Sequence, residues 1–90
     1  MRLVFTLNGW ADHRHWQTAD PAMLRRIHRL LDDVLRDPAA GIGKPEALSH
    51  LLSGCGARRI DPEHRLVYMV DGEVDGEDIV ILQARFHYDA

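Results

Sequence analysis

Hydrophobic residues change their spacing part-way along this chain, and that change narrows the folds open to it. In "PAMLRRIHRLLDDVLRD" (21–37), Met23, Ile27, Leu30 or Leu31, and Val34 recur near the 3.6-residue period of a helix. Arg25, Arg26, Arg29, Asp32, Asp33 and Arg36 fill the other side. Asp20 is placed to cap this helix, Pro21 takes its first position, and Pro38 ends it. From residue 57 onward the period is two. "ARRI" (57–60), "HRLVYMV" (64–70) and "DIVILQARF" (78–86) read as three successive strands. "DPE" joins the first two, and "DGEVDGE" forms a polar hairpin tip before the third.

The opening residues add a strand at "RLVFT" (2–6), then a short helix capped by Asn8 and running to about Gln17. Trp10 and Trp16 are six residues apart on that helix and do not share a face, so both read as core or interface packing. "AAGIGKPEALSHLLSG" is a Gly- and Pro-punctuated loop with one expected helical turn at "PEALSHL". Two helices followed by an antiparallel meander describe an α+β domain. Ninety residues support one core, so residues 1–90 are expected to form a single domain.

Charge is unevenly spread. The net charge of −3 argues against a nucleic-acid partner, but five acids crowd into "DGEVDGED" and Asp89 sits at the end. Without those six of the fourteen acids, eight remain against eleven Lys plus Arg, and the rest of the chain is +3. An acidic tip on a basic body still offers phosphate a positive face. Ten of the eleven cations are Arg, whose forked donors suit phosphate oxygens. No apolar run nears the ~18 residues of a membrane span, and the first residues lack a signal peptide's apolar stretch. The single cysteine, Cys55, can form no internal disulfide. These features together predict a cytoplasmic protein without a membrane partner.

Polar residues interrupt the strand pattern at its ends. By alternation Arg65, Val67 and Met69 share one face, as do Ile81, Gln83, Arg85 and His87. If the two faces coincide, Glu46 in the preceding loop can reach over them. Glu, Arg, Arg and His converging on a concave surface suit phosphoryl chemistry: the carboxylate takes a proton, the imidazolium gives one, and guanidinium groups meet the growing charge. The same residues also fit a plainer reading. Arg65 and Arg85 would end strands as solvated charges, Glu46 would favour a helical turn, and His87 would be an exposed chain-end residue. Pattern alone weighs toward the plainer one. The six histidines show no metal-site spacing: His13 and His15 point apart on a helix, His28 lies among arginines, and His50 and His64 have no evident partner. No metal or other cofactor is expected. Cys55 has no base or second thiol beside it in sequence and reads as an ordinary free cysteine.

Taken together, "GKPEALSHLLSG", "RRIDPEHRLVY" and the late "RFHY", in this order, resemble the YoeB (Txe) family of toxins from bacterial toxin–antitoxin pairs. The opening strand, Trp10, and "WQ" at Trp16 and Gln17 extend the resemblance over nearly the whole chain. It implies a compact microbial-ribonuclease-like (RelE-like) α+β fold, a twisted antiparallel sheet with two N-terminal helices packed on one face. It also implies a ribosome-dependent endoribonuclease that cleaves messenger RNA in the ribosomal A site, without a metal, through attack by the RNA's own 2′-hydroxyl. By position, Glu46 matches the family's general base. Arg65 matches the residue that stabilises the transition-state phosphate, His87 the general acid, and Tyr88 the terminal aromatic that holds substrate. Arg59, Lys44 and Arg85 are the expected RNA-binding residues. The implied partners are a cognate YefM-like antitoxin, the 70S ribosome and its A-site messenger. Operator DNA would be met only through the antitoxin, and a homodimer is one state open to the free protein.

The chain departs from the family pattern in places. Ser49 stands where many members carry Lys, Cys55-Gly56 replaces a common aromatic pair, the acidic hairpin is longer, and Asp89-Ala90 extend past Tyr88. In an extended chain Asp89 shares a face with His87, where a carboxylate favours imidazolium. The competing reading is a non-catalytic toxin of the same fold that poisons DNA gyrase by binding. Such relatives lack the Glu and terminal His-Tyr set.

Overall fold

The change of hydrophobic period coincides with the change from helix to sheet. The computed structural model describes residues 2–49, 54–72 and 77–87. In chain order they form β1 (Arg2–Phe5), α1 (Leu7–Ala19), α2 (Pro21–Arg36), β2 (Glu46–Ala47), β3 (Cys55–Arg59), β4 (Arg65–Asp71) and β5 (Asp78–Gln83). The strands make one sheet in the order β1-β5-β4-β3-β2. From β3 to β5 the pairing is antiparallel, as the meander predicted; β2 adds an unexpected antiparallel pairing with β3, and β1 runs parallel to β5. The sheet is therefore mixed. The intervening helices supply the long connection that a parallel neighbour requires.

Thr6 caps α1, in place of the expected Asn8. Its Oγ1 accepts the Gly9 N–H at 3.0 Å and donates to the Ile81 carbonyl at 3.1 Å, so one hydroxyl both starts the helix and docks it on β5. Asn8 lies inside the first turn and donates from Nδ2 to the Leu82 carbonyl at 3.0 Å. A Cβ at position 9 would collide with the Ile81 carbonyl oxygen, so glycine is what permits this close approach. The helix continues to Ala19, where Asp20 stops it and caps the next one. The Asp20 carboxylate accepts from Ala22 and Met23, with Pro21 at the first position, as the sequence predicted.

Trp16 of α1 and Ile27, Leu30, Leu31 and Val34 of α2 pack on Ile60, Leu66, Tyr68, Ile79 and Ile81. Burying each such aliphatic side chain contributes about 1.5–3 kcal/mol. Both helices thus cover one face of the sheet, while Trp10 stays half-exposed at its edge. On the other face Leu48, Ala57 and Val67 form a small cluster with Cys55 and Leu82.

Two expectations about the strands need correction. "PEALSHL" does not begin a helical turn. Glu46 and Ala47 pair with Ala57 and Gly56, and the Leu48 N–H donates to the Cys55 carbonyl at 3.0 Å. Backbone pairing with β3 and burial of Leu48 outweigh the local helical preference; residues 50–53 lie outside the described residues. Nor does β5 reach residue 86. It ends at Gln83, after an irregularity in which Val67 pairs with Gln83 but Tyr68 pairs with Ile81. Leu82 is the extra residue of a β-bulge, and it resets the alternation. Ile81 therefore packs under the helices and does not share a face with Gln83.

Arg58 is fully buried and uses every donor it has. Nε donates to the Tyr68 hydroxyl (3.2 Å), Nη1 to Asp33 Oδ2 (2.6 Å) and the Ile42 carbonyl (2.8 Å), and Nη2 to the carbonyls of Asp37 (2.7 Å) and Ala40 (3.2 Å). Tyr68 in turn donates to the Pro38 carbonyl at 2.6 Å. One guanidinium thus fastens α2, the 37–42 segment and β4 together. That segment leads directly to Lys44 and Glu46.

Candidate active site

The helix-free face carries a cleft of about 280 Å³ lined by Lys44, Glu46, Ala57, Arg58, Arg59, Arg65 and His87. Its floor follows from strand register: Ala57 stands between Glu46 on β2 and Val67 on β4. Arg59 stands directly opposite Arg65 across β3 and β4. Two cations so placed repel one another, an arrangement an anion between them would reverse. The guanidinium of Arg58 is engaged on the helix side, so alternation along "RRI" gives one arginine to the core and the next to the cleft.

Arg65 is anchored by one end. Its Nη1 donates to the carbonyls of Asp61 (2.8 Å), His64 (3.0 Å) and Pro62 (3.3 Å), and its other two nitrogens donate to none of the described residues. The Asp61 carboxylate accepts the Glu63 and His64 N–H groups, at 2.8 and 2.7 Å, and so shapes the turn before β4. Despite partial desolvation, those bonds lower its pKa below the ordinary value.

His87 reaches the cleft from an irregular turn, not from a strand. Phe86 has φ +66°, a left-handed conformation unfavourable for a bulky side chain. Several groups hold this turn. Asp12 accepts the Ala84 N–H at 3.0 Å, and the buried Trp16 donates from Nε1 to the Ala84 carbonyl at 2.8 Å. The Gln83 side-chain amide donates to the carbonyls of Arg85, Phe86 and His87, at 2.7, 3.1 and 2.9 Å. The Phe86 N–H donates to His64 Nδ1 at 2.8 Å, and the Phe86 carbonyl accepts from the Arg65 N–H at 3.0 Å. Lys44, two residues before Glu46, is the other non-glycine residue with positive φ (+51°) among the described residues. The preceding Gly43 is left-handed too, and its carbonyl accepts the Arg59 N–H at 2.6 Å.

Five expected site residues, Glu46, Arg65, His87, Arg59 and Lys44, therefore meet in one cleft. Arg85 does not line it. Its guanidinium lies 4.4 Å from the Phe86 ring centre, beside an adjoining depression that also involves His87. Tyr88 and Asp89 lie outside the described residues. Sequence reasoning missed Asp12, Gln83 and His64 as supports of the His87 turn. It also weighed His13 only against His15, whereas the His13 Nε2 lies 2.9 Å from that of His28, with the His13 ring stacked on Trp10.

Residues 5–88 match the family described as the YoeB-like toxin of bacterial type II toxin–antitoxin systems. The chain is 49% identical to toxin YoeB of Streptomyces coelicolor over 88 residues, 98% of this chain and all of that protein. Among solved structures it is similar to a YoeB/ParE toxin from Agrobacterium tumefaciens, with a TM-score of 0.93 and 44% identity over 98% of this chain and all of that one. It is also similar to the toxin in a YoeB–YefM complex from Staphylococcus aureus, with a TM-score of 0.84 and 37% identity over 98% of each chain. A YoeB dimer from the same organism is also similar. The architecture is thus the RelE-like α+β fold.

Proposed function

The chain belongs to the YoeB-like toxin family of bacterial type II toxin–antitoxin systems, and from that premise we propose that it is a ribosome-dependent endoribonuclease that halts translation by cutting messenger RNA in the A site. The observation that carries the reading is one cleft bringing a carboxylate, an imidazole and two facing arginines together. In the reaction, the Glu46 carboxylate removes the proton of a ribose 2′-hydroxyl and the freed oxygen attacks the adjacent phosphorus. Arg65, with Arg59, meets the charge on the phosphoryl oxygens. His87, as imidazolium, gives its proton to the departing 5′-oxygen. The products are a 2′,3′-cyclic phosphate and a free 5′-hydroxyl. The nucleophile comes with the substrate and the arginines supply the positive charge, so no step calls for a metal.

Lys44 and Arg59 extend the positive wall along the RNA backbone, with Arg85 beside it and Tyr88 expected to hold a base. A YefM-like antitoxin neutralises the toxin, carries any operator-DNA contact, and leaves the free protein able to pair with itself. The site of action is the cytoplasm, on the 70S ribosome. Primer extension on a defined messenger in a translating extract tests the reading. The expected result is cleavage confined to the A site, absent without ribosomes, and reduced by ~10²–10⁴-fold in Glu46→Gln and in His87→Gln. Full toxicity of both variants with no cut messenger would instead favour a binding toxin of the gyrase-poisoning kind.

A further inference from the structure

His64 stands one residue from Arg65 but its ring points away from the cleft, only 9% exposed and edge-on to Trp16 at 4.9 Å between ring centres. A buried imidazole of this kind is ordinarily read as core packing. Its hydrogen bonding says more. Nδ1 accepts the Phe86 N–H at 2.8 Å, so that nitrogen carries a lone pair and the proton of the neutral ring is on Nε2. Nε2 lies 3.4 Å from Glu63 Oε2, and Glu63 is largely exposed. The next backbone group along β4, the Arg65 N–H, donates to the Phe86 carbonyl. His64 and Arg65 thereby grip both polar groups of one peptide residue, and that residue has a φ of +66°. A phenylalanine does not hold such a conformation unless its surroundings impose it. The next residue is His87.

We propose that His64 is a positioning residue for the reaction: its Nδ1 lone pair fixes the left-handed turn at Phe86 and thereby sets the imidazole of His87 against Glu46 and Arg65. The role rests on the ribonuclease reading above, but the turn it describes exists whatever the chemistry. Gln83 steadies the carbonyls of the same turn, whereas the Phe86 amide has His64 as its acceptor. The same strand step therefore delivers both the phosphate-binding arginine and the clamp for the general acid, which ties their spacing to β4.

Two substitutions and two readouts test this in the full chain. His64→Phe keeps a planar ring but removes the acceptor, and His64→Asn keeps an acceptor at the position of Nδ1. In His64→Phe, hydrogen exchange at the Phe86 amide should accelerate at least tenfold while core amides of α2 keep their protection. Cleavage should fall about 10–100-fold, the scale of a misplaced reacting group. His64→Asn should recover most of both. Slow Phe86 exchange in His64→Phe, or equal losses in the Phe and Asn variants, would overturn the proposal. Should the wild type cut no messenger, the ribonuclease reading falls and the exchange result still decides whether His64 holds the turn. A Phe variant that unfolds is distinguished by loss of α2 protection; the Asn variant then decides, since retention of a protected Phe86 amide supports the clamp and its loss in a folded chain refutes it.

Discussion

Replacing Arg58 by methionine is expected to destabilise the protein severely, while the same change at Arg59 leaves it nearly intact. Methionine matches much of the aliphatic stem of Arg58 but none of its five donors. The Asp33 carboxylate, the Tyr68 hydroxyl and the carbonyls of Asp37, Ala40 and Ile42 each lose a partner. Removing one member of a buried ion pair typically costs about 3–5 kcal/mol. The lower end fits here if water reaches the 37–42 carbonyls, because Asp33 is partly exposed. A chain of 90 residues has a total stability of about 5–13 kcal/mol. At about 4–8 °C per kcal/mol for a domain this small, Tm should fall by about 12–40 °C. Arg59 is exposed on the cleft wall, and its replacement should change stability by no more than ~0.5 kcal/mol. Thermal unfolding followed by far-UV circular dichroism compares the two. A fall of less than ~4 °C in Arg58→Met, or an equal fall in both variants, would refute the division of labour between these neighbours.

Acid should reveal the same network. Hydrogen bonds from Arg58, then from the Ile42 amide and Arg36, hold the Asp33 carboxyl at about 2, below its ordinary 3.8. Its folded pKa is depressed, so its contribution is present above pH ~4 and lost as pH falls toward 2. Asp33→Asn should be less stable at neutral pH and lose less than wild type between those values, measured by denaturant titration. The His13 pKa is lowered by burial and by His28, so the unfolded chain binds more protons at this residue just below pH 6.5 and its contribution to stability rises with pH there. His13→Phe should flatten that rise in Tm between pH 5 and 7. Messenger cleavage should persist under a chelator that strips zinc and manganese but spares the magnesium that ribosomes need; loss of cleavage restored by zinc would sink the reaction scheme.

How far the sequence reveals the fold depends on the range of the forces involved. α2 was legible because its cap, first proline, apolar stripe and terminating proline all lie between Asp20 and Pro38. Strand identity was legible wherever the apolar period was two. The parallel placement of β1 was not, because Arg2 pairs with Asp78 and no local pattern spans seventy-six positions. At β2 a two-residue pairing with β3 overrode a segment whose composition favours a turn of helix. The bulge at Leu82 was equally silent, since "DIVILQ" alternates without a break. A strand period can show which residues share a face only until such an extra residue intervenes.

The cleft was legible in its members and not in its supports, for a physical reason. Arg65 and His87 differ chemically from the apolar residues of their strands, so their positions register as interruptions of a pattern, whereas the roles expected of Glu46 and Arg59 came from the family resemblance. Asp12, Trp16, His64 and Gln83 act on the turn before His87 through backbone N–H and carbonyl groups. Backbone groups are the same at every residue, so no sequence signal marks where such a bond will fall. One signal was available and unused. In a strand whose side chains alternate, adjacent arginines must face opposite ways, so "RRI" already requires one arginine to meet the helices. A guanidinium buried there requires a carboxylate within reach, and α2 offers two, at Asp32 and Asp33. Only Asp33 lies one residue before Val34 on the side turned toward the 37–42 segment, and it is the one that accepts from Arg58 and from the Ile42 amide. Two neighbouring arginines and one helix thus narrow the acid that orders the approach to the cleft to Asp32 or Asp33, and the contacts with the 37–42 segment select Asp33.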